Sequence, residues 1–476
     1  MKQSFSKTKI VATLGPASSS KDILRRMIYE GVDVFRINFS HSKKEEYLKL
    51  VNLIKELNIE LDTHVAILAD LQGPKLRIGE IENNLLELVS GDVVTFVTEK
   101  CIGNINRIYM SYLEFPQDVN AGETILIDDG KIKLEVTETN KKDTVKAKVI
   151  FGGPLSSHKG VNLPHTWVSL PCLTDEDISN AIFALNYDVD WIALSFVRKA
   201  ADVLELKELI KKNNSYAGVI AKIEKPDALE EIDQIIEQAD GIMVARGDLG
   251  VEMPFNEVPL IQKQIIEKCN RQAKPVIVAT QMMESMITNF TPTRAEATDV
   301  TNAVLDGADA LMLSGETSIG KFPVETILNM QKIIFYTEAY GNPFNKNNSP
   351  IEGTSAFLAD SICHHASILA KEVNAKAIIT FTHSGYTAFH ISSHRPKTDI
   401  FAFTSNMKVL QYLAVAWGVR VLYLHTYEQL EDAIVESIRI LKEKNLLTEG
   451  DCVIHVGSLP LNELGKTNIL KINIVQ

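Results

Sequence analysis

The stretch Ala221 to Leu229 (AKIEKPDAL) places Lys222 and Glu224 two residues apart at the end of an apolar run. On an extended strand that spacing puts both side chains on one face. A cation and a carboxylate on a buried face are costly unless they bind something or each other. One reading makes Glu224 a magnesium ligand and gives Lys222 the task of stabilising negative charge that develops on a substrate. The other is a buried Lys–Glu pair with a purely structural role. The next apolar run ends in MVARGDLGVE, Met243 to Glu252. Gly247 there allows close backbone approach to a ligand, and its N–H can serve an anion. Asp248 adds a second carboxylate. Magnesium typically takes one or two protein carboxylates and completes its octahedron with water and substrate oxygens, a count met by Glu224 and Asp248. The alternative for Asp248 is a helix cap.

Other polar residues stand at comparable places. RINFSH carries Arg36, Asn38 and Ser40 at alternate positions on one face, followed by His41. The planar guanidinium of Arg36 suits a phosphate, because it donates two hydrogen bonds at once. Asp70 ends another run, and Lys75 and Arg77 follow it. Thr280, in VATQMMESM, offers a hydroxyl for a carboxylate or a proton path; threonine is common in strands, so this signal alone is weak. The set holds cations, carboxylates and hydroxyls but no activated nucleophile. It fits a reaction in which charge is positioned and stabilised.

The elements that would position these residues are eight short apolar runs: Lys9–Gly15, Val32–His41, His64–Gln72, Trp191–Val197, Tyr216–Glu224, Gly241–Gly247, Pro275–Gln281 and Ala308–Glu316. Near-continuous apolar runs fit strands buried on both faces. Amphipathic stretches lie between them, at Lys21–Glu30, Lys43–Leu57, Ala201–Asn213 and Phe255–Gln272. Eight such units predict a (β/α)8 barrel, and polar residues gathered at the C-terminal ends of the runs agree with the active face of that fold. A doubly wound open sheet is the alternative, but it usually carries a glycine-rich phosphate loop after its first strand, and none is seen. Between Pro74 and Pro171 the pattern breaks into short alternating segments with turn signals, predicting a small all-β insertion that acts as a lid. After Gly341 comes a polar linker, Pro343 to Gly353, and then a separate α/β unit with strands near 377–381, 400–403, 420–424, 452–456 and 469–474. The expected domains are therefore 1–73 with 172–342, 74–171, and 343–476.

The chain has 476 residues and a formal charge of −12, which argues against nucleic acid as a partner. Five cysteines with no CxxC pair predict free thiols in a reducing compartment. No stretch resembles a secretory leader or a membrane span, so the expected location is the cytoplasm, with no membrane partner.

Together these segments resemble the pyruvate kinase family over nearly the whole chain. IAKIEKPDAL is similar to the family's active-site signature, and VARGDLGVE, ATQMMESM, LSGET, RINFSH, SHKGVNLP and TLGPAS follow in the family's order. The resemblance implies transfer of the phosphoryl group of phosphoenolpyruvate to ADP, giving pyruvate and ATP in the last step of glycolysis, with Mg2+ or Mn2+ as cofactor. It implies that Lys222 stabilises the transferring and enolate charge, that Glu224 and Asp248 hold the divalent metal, and that Arg36 meets the phosphoryl group. Gly247, Asp248 and Thr280 would cradle the substrate carboxylate. Asn38, His41, Arg77 and Lys159 would lie near the nucleotide. Asn38, Ser40, Asp70 and the Leu71 carbonyl match a monovalent-cation site. Protonation at carbon would pass through water near Thr280, with no side chain assigned as the terminal acid.

Lys75 departs from many family members, which carry glutamate there and need potassium. With Leu71, Gln72 and Ile78 it resembles the potassium-independent branch, in which a tethered ammonium replaces the monovalent ion. The C-terminal unit resembles the family's regulatory domain. Thr382, Ser384, Gly385 and Thr387 stand where other members hold an effector phosphate; fructose bisphosphate is disfavoured there, and a sugar monophosphate, AMP or no effector are all open. A homotetramer is implied as well. Two other readings stand beside this one: another phosphoenolpyruvate or pyruvate barrel enzyme, and a catalytically silent metabolite sensor. A silent sensor would be expected to lack Lys222 or a metal carboxylate, and all three are present.

Overall fold

The computed structural model of the protein describes residues 6–40, 44–164, 166–344, 349–425, 429–459 and 467–476. All eight apolar runs form strands: Lys9–Thr13, Val34–Asn38, Ala66–Asp70, Trp191–Leu194, Gly218–Ile223, Gly241–Ala245, Val276–Ala279 and Ala310–Leu313. They pair in parallel, neighbour with neighbour, and the first closes on the eighth. Each strand is shorter than its apolar run. Pairing stops where the C-terminal residues of the run leave the sheet to form the rim.

Alternation along these strands sorts the core. Val11, Val34, Leu68, Trp191, Ala193, Ile220, Met243, Ile277, Ala279 and Met312 form one buried cluster inside the barrel. Ile10, Phe35, Ile37, Ile67, Ile192, Val219, Ile242 and Val278 belong to the larger cluster under the surrounding helices. The helices supply the matching faces. In Lys21–Tyr29, for example, Ser20 accepts from Ile23 N–H at the N-cap while Leu24, Met27 and Ile28 are buried. Two residues beyond the inner apolar layer, the same alternation brings Thr13, Arg36, Asp70, Ser195 and Lys222 to the top of the barrel.

The insertion folds as a six-stranded and a two-stranded sheet with its own core, around Val94, Phe96, Ile125, Leu134 and Val149. It also carries a short helix at Phe115–Asp118, absent from the all-β expectation; Pro116 falls in its first turn, where a missing N–H is tolerated. The C-terminal unit is a five-stranded sheet, parallel except for its last strand, Ile469–Ile474. It seals the opposite end of the barrel. Tyr412 stacks on Trp191 with ring centroids 4.4 Å apart, and Val415 joins the inner barrel cluster. Gly218 opens the strand that carries Lys222, and a Cβ there would lie 2.5 Å from Trp191 and 2.7 Å from Tyr412. A side chain at this position would break the stack. No helix among the described residues is long and apolar enough to cross a membrane.

Candidate functional site

At the C-terminal rim of the barrel, six residues meet: Thr13, Arg36, Asp70, Ser195, Lys222 and Glu224. Lys222 Nζ lies 2.8 Å from Glu224 Oε1, 3.3 Å from Asp70 Oδ1 and 2.7 Å from Ser195 Oγ. Two carboxylates and a hydroxyl thus surround the ammonium, with Ser195 Oγ taking its hydrogen bond. Arg36 reaches the other oxygen of Asp70 at 2.6 Å through Nε, and donates from Nη1 to Thr13 Oγ1 at 2.9 Å. Strand register explains the meeting, because Asn38 pairs with Asp70 and Ala193 pairs with Asp70 from the other side. All four charged side chains of this network are nearly removed from solvent.

Burial and neighbours set the charges. Burial alone would push the Asp70 carboxyl up, but Lys222 and Arg36 hold it below the ordinary carboxylate range. Burial likewise works against the Lys222 ammonium, and Asp70 and Glu224 more than compensate, so it stays charged. Glu224 is pushed above the usual carboxylate range by burial, with Asp248 adding like-charge repulsion against the pull of Lys222. A buried carboxylate facing a second carboxylate is a donor set short of positive charge, and a divalent cation would supply it. Glu224 and Asp248 thus fit a magnesium-type ion. Among the described residues, no three His, Cys, Asp or Glu side chains converge on a metal position, and the pair fits an ion completed by water and substrate oxygens.

Gly247 and Asp248 lie in the first turn of the helix Arg246–Glu252. The Gly247 N–H donates to Thr280 Oγ1 at 2.7 Å. Thr280 itself follows its strand in the left-handed region, at φ 70, with Gln281 beside it at φ 54. A β-branched residue there is strained, and such strain persists only where the surroundings over-determine it. Arg246 secures the turn by donating to Thr280 O at 2.7 Å and to Asp299 Oδ1 at 2.8 Å.

The lid brings Arg77 and Lys159 together. Arg77 bridges to Gly160 and donates to His158 O at 2.9 Å, and Lys159 pairs with Asp128 at 2.8 Å. Asn38 Oδ1 accepts from Ser40 N–H at 2.9 Å, and the Leu71 carbonyl accepts from Ser195 Oγ at 2.7 Å. Among the described residues no hydrogen bond or ion pair joins Lys75 to Asn38, Ser40 or Asp70. Lys75 is exposed and lines the crevice under the lid with Asp129, Gly160 and Asp248. His41 lies outside the described residues. In the C-terminal unit, Thr382 Oγ1 accepts from Gly385 N–H at 2.9 Å, Gly385 sits at φ 88, and Ser384 is exposed. Thr387 instead is buried, with its hydroxyl 2.8 Å from that of Thr467.

Four residues of the site have no role in the sequence reading, although Thr13 and Glu252 lie within its motifs. Thr13 positions Arg36. Ser195 holds Lys222. Phe196 donates its N–H to Glu224 Oε2 at 2.8 Å. Glu252 joins Lys225 Nζ at 2.8 Å to Asn162 of the lid, also at 2.8 Å. Thr13 and Ser195 share the inward parity of Val11 and Ala193, and that parity would have found them.

Two family profiles match the chain: "Pyruvate kinase, barrel domain" over residues 5–327 and "Pyruvate kinase, alpha/beta domain" over residues 360–473. The chain is 43% identical to a pyruvate kinase of Agrobacterium vitis, covering 98% of each chain. It is 41% identical to pyruvate kinase 2 of a Synechocystis strain, over 99% of this chain and 79% of the relative. A crystal structure of a pyruvate kinase from Cryptosporidium parvum superposes with a TM-score of 0.92 at 36% identity, covering 99% of this chain and 96% of that one.

Proposed function

The chain belongs to the pyruvate kinase family and is a phosphotransferase acting between phosphoenolpyruvate and ADP, and we propose the following division of that work among its residues. Arg36 and Lys222 receive the phosphoryl group. Glu224 and Asp248 hold Mg2+ or Mn2+. The first turn at Gly247–Asp248 and the Thr280 hydroxyl take the substrate carboxylate. Arg77 and Lys159, carried by the lid, meet the nucleotide.

The observation that carries this assignment is the charge balance at the rim. Arg36 and Lys222 supply two positive charges, against three negative ones from Asp70, Glu224 and Asp248. The set is net negative, so an anionic phosphate ester is repelled until a divalent cation reverses the sign. The bound metal would supply Lewis-acid charge neutralisation at phosphoryl oxygens. Everything else is positioning. Phosphoryl transfer has a loose transition state with charge spread over equatorial oxygens, which suits a rim of fixed cations without a nucleophile. Lys222 Nζ is held between Glu224, Asp70 and Ser195, and release of Glu224 would turn the ammonium toward substrate oxygen. The Gly247 N–H and Thr280 hydroxyl, bonded to each other, open together when a carboxylate arrives between them.

Lys75 sits five residues after Asp70 at the point where the chain enters the lid. Its ammonium on a flexible stem supports a role in place of a monovalent cation. The turn at Thr382, Ser384 and Gly385 supports an anionic effector, while the Thr387 hydroxyl is committed to Thr467. A homotetramer is supported by exposed Phe335, Tyr336 and Tyr340 on the helix Pro323–Tyr340 and by exposed Ile472 and Ile474 on the edge strand.

The test is pyruvate formation from phosphoenolpyruvate and ADP with Mg2+, in tetramethylammonium buffer with and without potassium. Equal activity in both supports the whole assignment. Activity with potassium alone removes the role given to Lys75, and inactivity in both removes the function.

A further inference from the structure

The fourth barrel strand ends at Leu194, and the four residues after it reach Lys222, Glu224 and the two connections to the lid. Ser195 Oγ accepts from Lys222 Nζ and donates to Leu71 O, both at 2.7 Å. The direction is fixed, because a carbonyl can only accept and an ammonium can only donate. Phe196 stands at φ 56, a costly conformation for a bulky residue, and this aims its N–H at Glu224 Oε2. One dipeptide thus grips both the ammonium and the carboxylate of the reactive pair.

The same segment is wired to both ends of the lid. Where the chain leaves the barrel, Gly73 lies so close that a Cβ would come within 2.7 Å of the Phe196 ring and 3.0 Å of Ser195 Cβ. Where the chain returns, the Cys172 thiol donates to Ser195 O at 3.0 Å. The Arg198 guanidinium clasps the returning segment through Val168 O, through Leu170 O at 2.7 Å, and by lying over the Trp167 ring. A displacement of either lid hinge therefore meets the turn that holds Lys222 and Glu224.

We propose that Ser195–Arg198 is a positioning segment that fixes the Lys222 ammonium and Glu224 carboxylate and couples their geometry to the lid. The proposal rests on the assignment of Lys222 and Glu224 made above. Ser195 and Arg198 act through other groups and do not touch the reacting atoms.

The full chain carrying Ser195→Ala, Ser195→Cys, Arg198→Gln and the Ser195→Ala/Arg198→Gln pair tests it. Loss of the hydroxyl removes one acceptor from a buried ammonium, so Ser195→Ala should lower kcat about tenfold to hundredfold while KM for ADP moves less than about twofold. Lys222 then leans harder on Glu224, and Mn2+ binding to the substrate-free protein, followed by electron paramagnetic resonance of free Mn2+, should weaken about threefold to tenfold. Ser195→Cys keeps the volume and loses the strong acceptor, so it should follow Ser195→Ala; behaviour like the wild type would make Ser195 a packing residue and overturn the proposal. Coupling to the lid predicts that the double variant falls short of the product of the single losses. Multiplicative losses, or wild-type kcat and Mn2+ affinity in Ser195→Ala, overturn it as well. An inactive wild type would instead refute the underlying assignment.

Discussion

Replacing Lys222 with methionine should move metal affinity and turnover in opposite directions. Methionine keeps an unbranched stem of similar length and removes only the charge. In the protein as it stands, Glu224 gives Oε1 to Lys222 at 2.8 Å, so a divalent cation arriving at Glu224 and Asp248 competes with the ammonium. At that distance and an effective dielectric near 20, two unit charges interact by about 6 kcal/mol. Lys222 keeps Asp70 and Ser195 when it yields Glu224, so the metal bears only part of this. A part of about 1.4 to 3 kcal/mol corresponds to about tenfold to hundredfold in affinity. The expected outcome is Mn2+ binding tighter by that factor in Lys222→Met, read directly from free Mn2+ without substrate. At the same time kcat should fall by at least about a thousandfold, as for loss of a preorganised charge at the reacting group. Mn2+ affinity that is unchanged or weaker in a folded Lys222→Met protein would refute the idea that Lys222 and the metal share Glu224.

Two further predictions concern stability. His455 is buried in the C-terminal sheet, stacked on Phe381, with neither ring nitrogen hydrogen-bonded among the described residues. Burial and then Lys471 lower its pKa to about 4 from 6.5, so the folded state resists the proton that the unfolded state accepts. Its contribution is complete above about pH 6.5 and is lost as pH falls toward 4, by about 3 kcal/mol in all; His455→Leu should flatten that acid decline in the urea midpoint, and an unchanged slope counts against it. Arg395 is buried and binds Asp309 through both Nη atoms, at 3.0 and 2.9 Å, and also Asn270 and Gly307 O. Arg395→Ala strands the Asp309 carboxylate, at a cost of about 3–5 kcal/mol, and should lower the thermal midpoint of both the barrel and the C-terminal unit; a midpoint within about a degree of wild type would show the pair to be replaceable.

The barrel was legible because its strands are buried on both faces and read as unbroken apolar runs, which little else in a soluble chain resembles. Arg36, Asp70, Lys222 and Glu224 were legible because polar residues at the ends of such runs are conspicuous. Ser195 was not: a serine after WIAL reads as an ordinary strand end, and only its parity with Trp191 and Ala193 marks it. Phe196 was less visible still, and Thr280, though named for its hydroxyl, gave no sign of its backbone conformation. Their positive φ values are imposed by neighbours, and a sequence advertises that conformation only where it carries glycine. Arg395 illustrates the same limit. An arginine at a helix end reads as solvated, and its partner Asp309 lies in a different unit of the chain. Lys75 shows the reverse. Its residue type is suggestive, but the stem that makes it useful also leaves it exposed, with no bond to Asn38 or Asp70 among the described residues.

The rim of the barrel carries features that a stability-optimised core would lack: a buried network of opposed charges and three non-glycine residues in left-handed backbone, Phe196, Thr280 and Gln281. Asp70 shares its charge between Arg36 and Lys222, Phe196 is held by its bond to Glu224, and Thr280 by Gly247 and Arg246. The pairs that satisfy the protein are the same groups that would contact metal and substrate. Internal pairing thus keeps the cations and carboxylates aligned while the site waits, at the cost of having to be displaced. Glu224 would exchange Lys222 for a divalent cation, and Lys222 would exchange Glu224 for a phosphate oxygen. Because each charge would pass from one partner to another, the rim could stay buried and highly charged without unfolding.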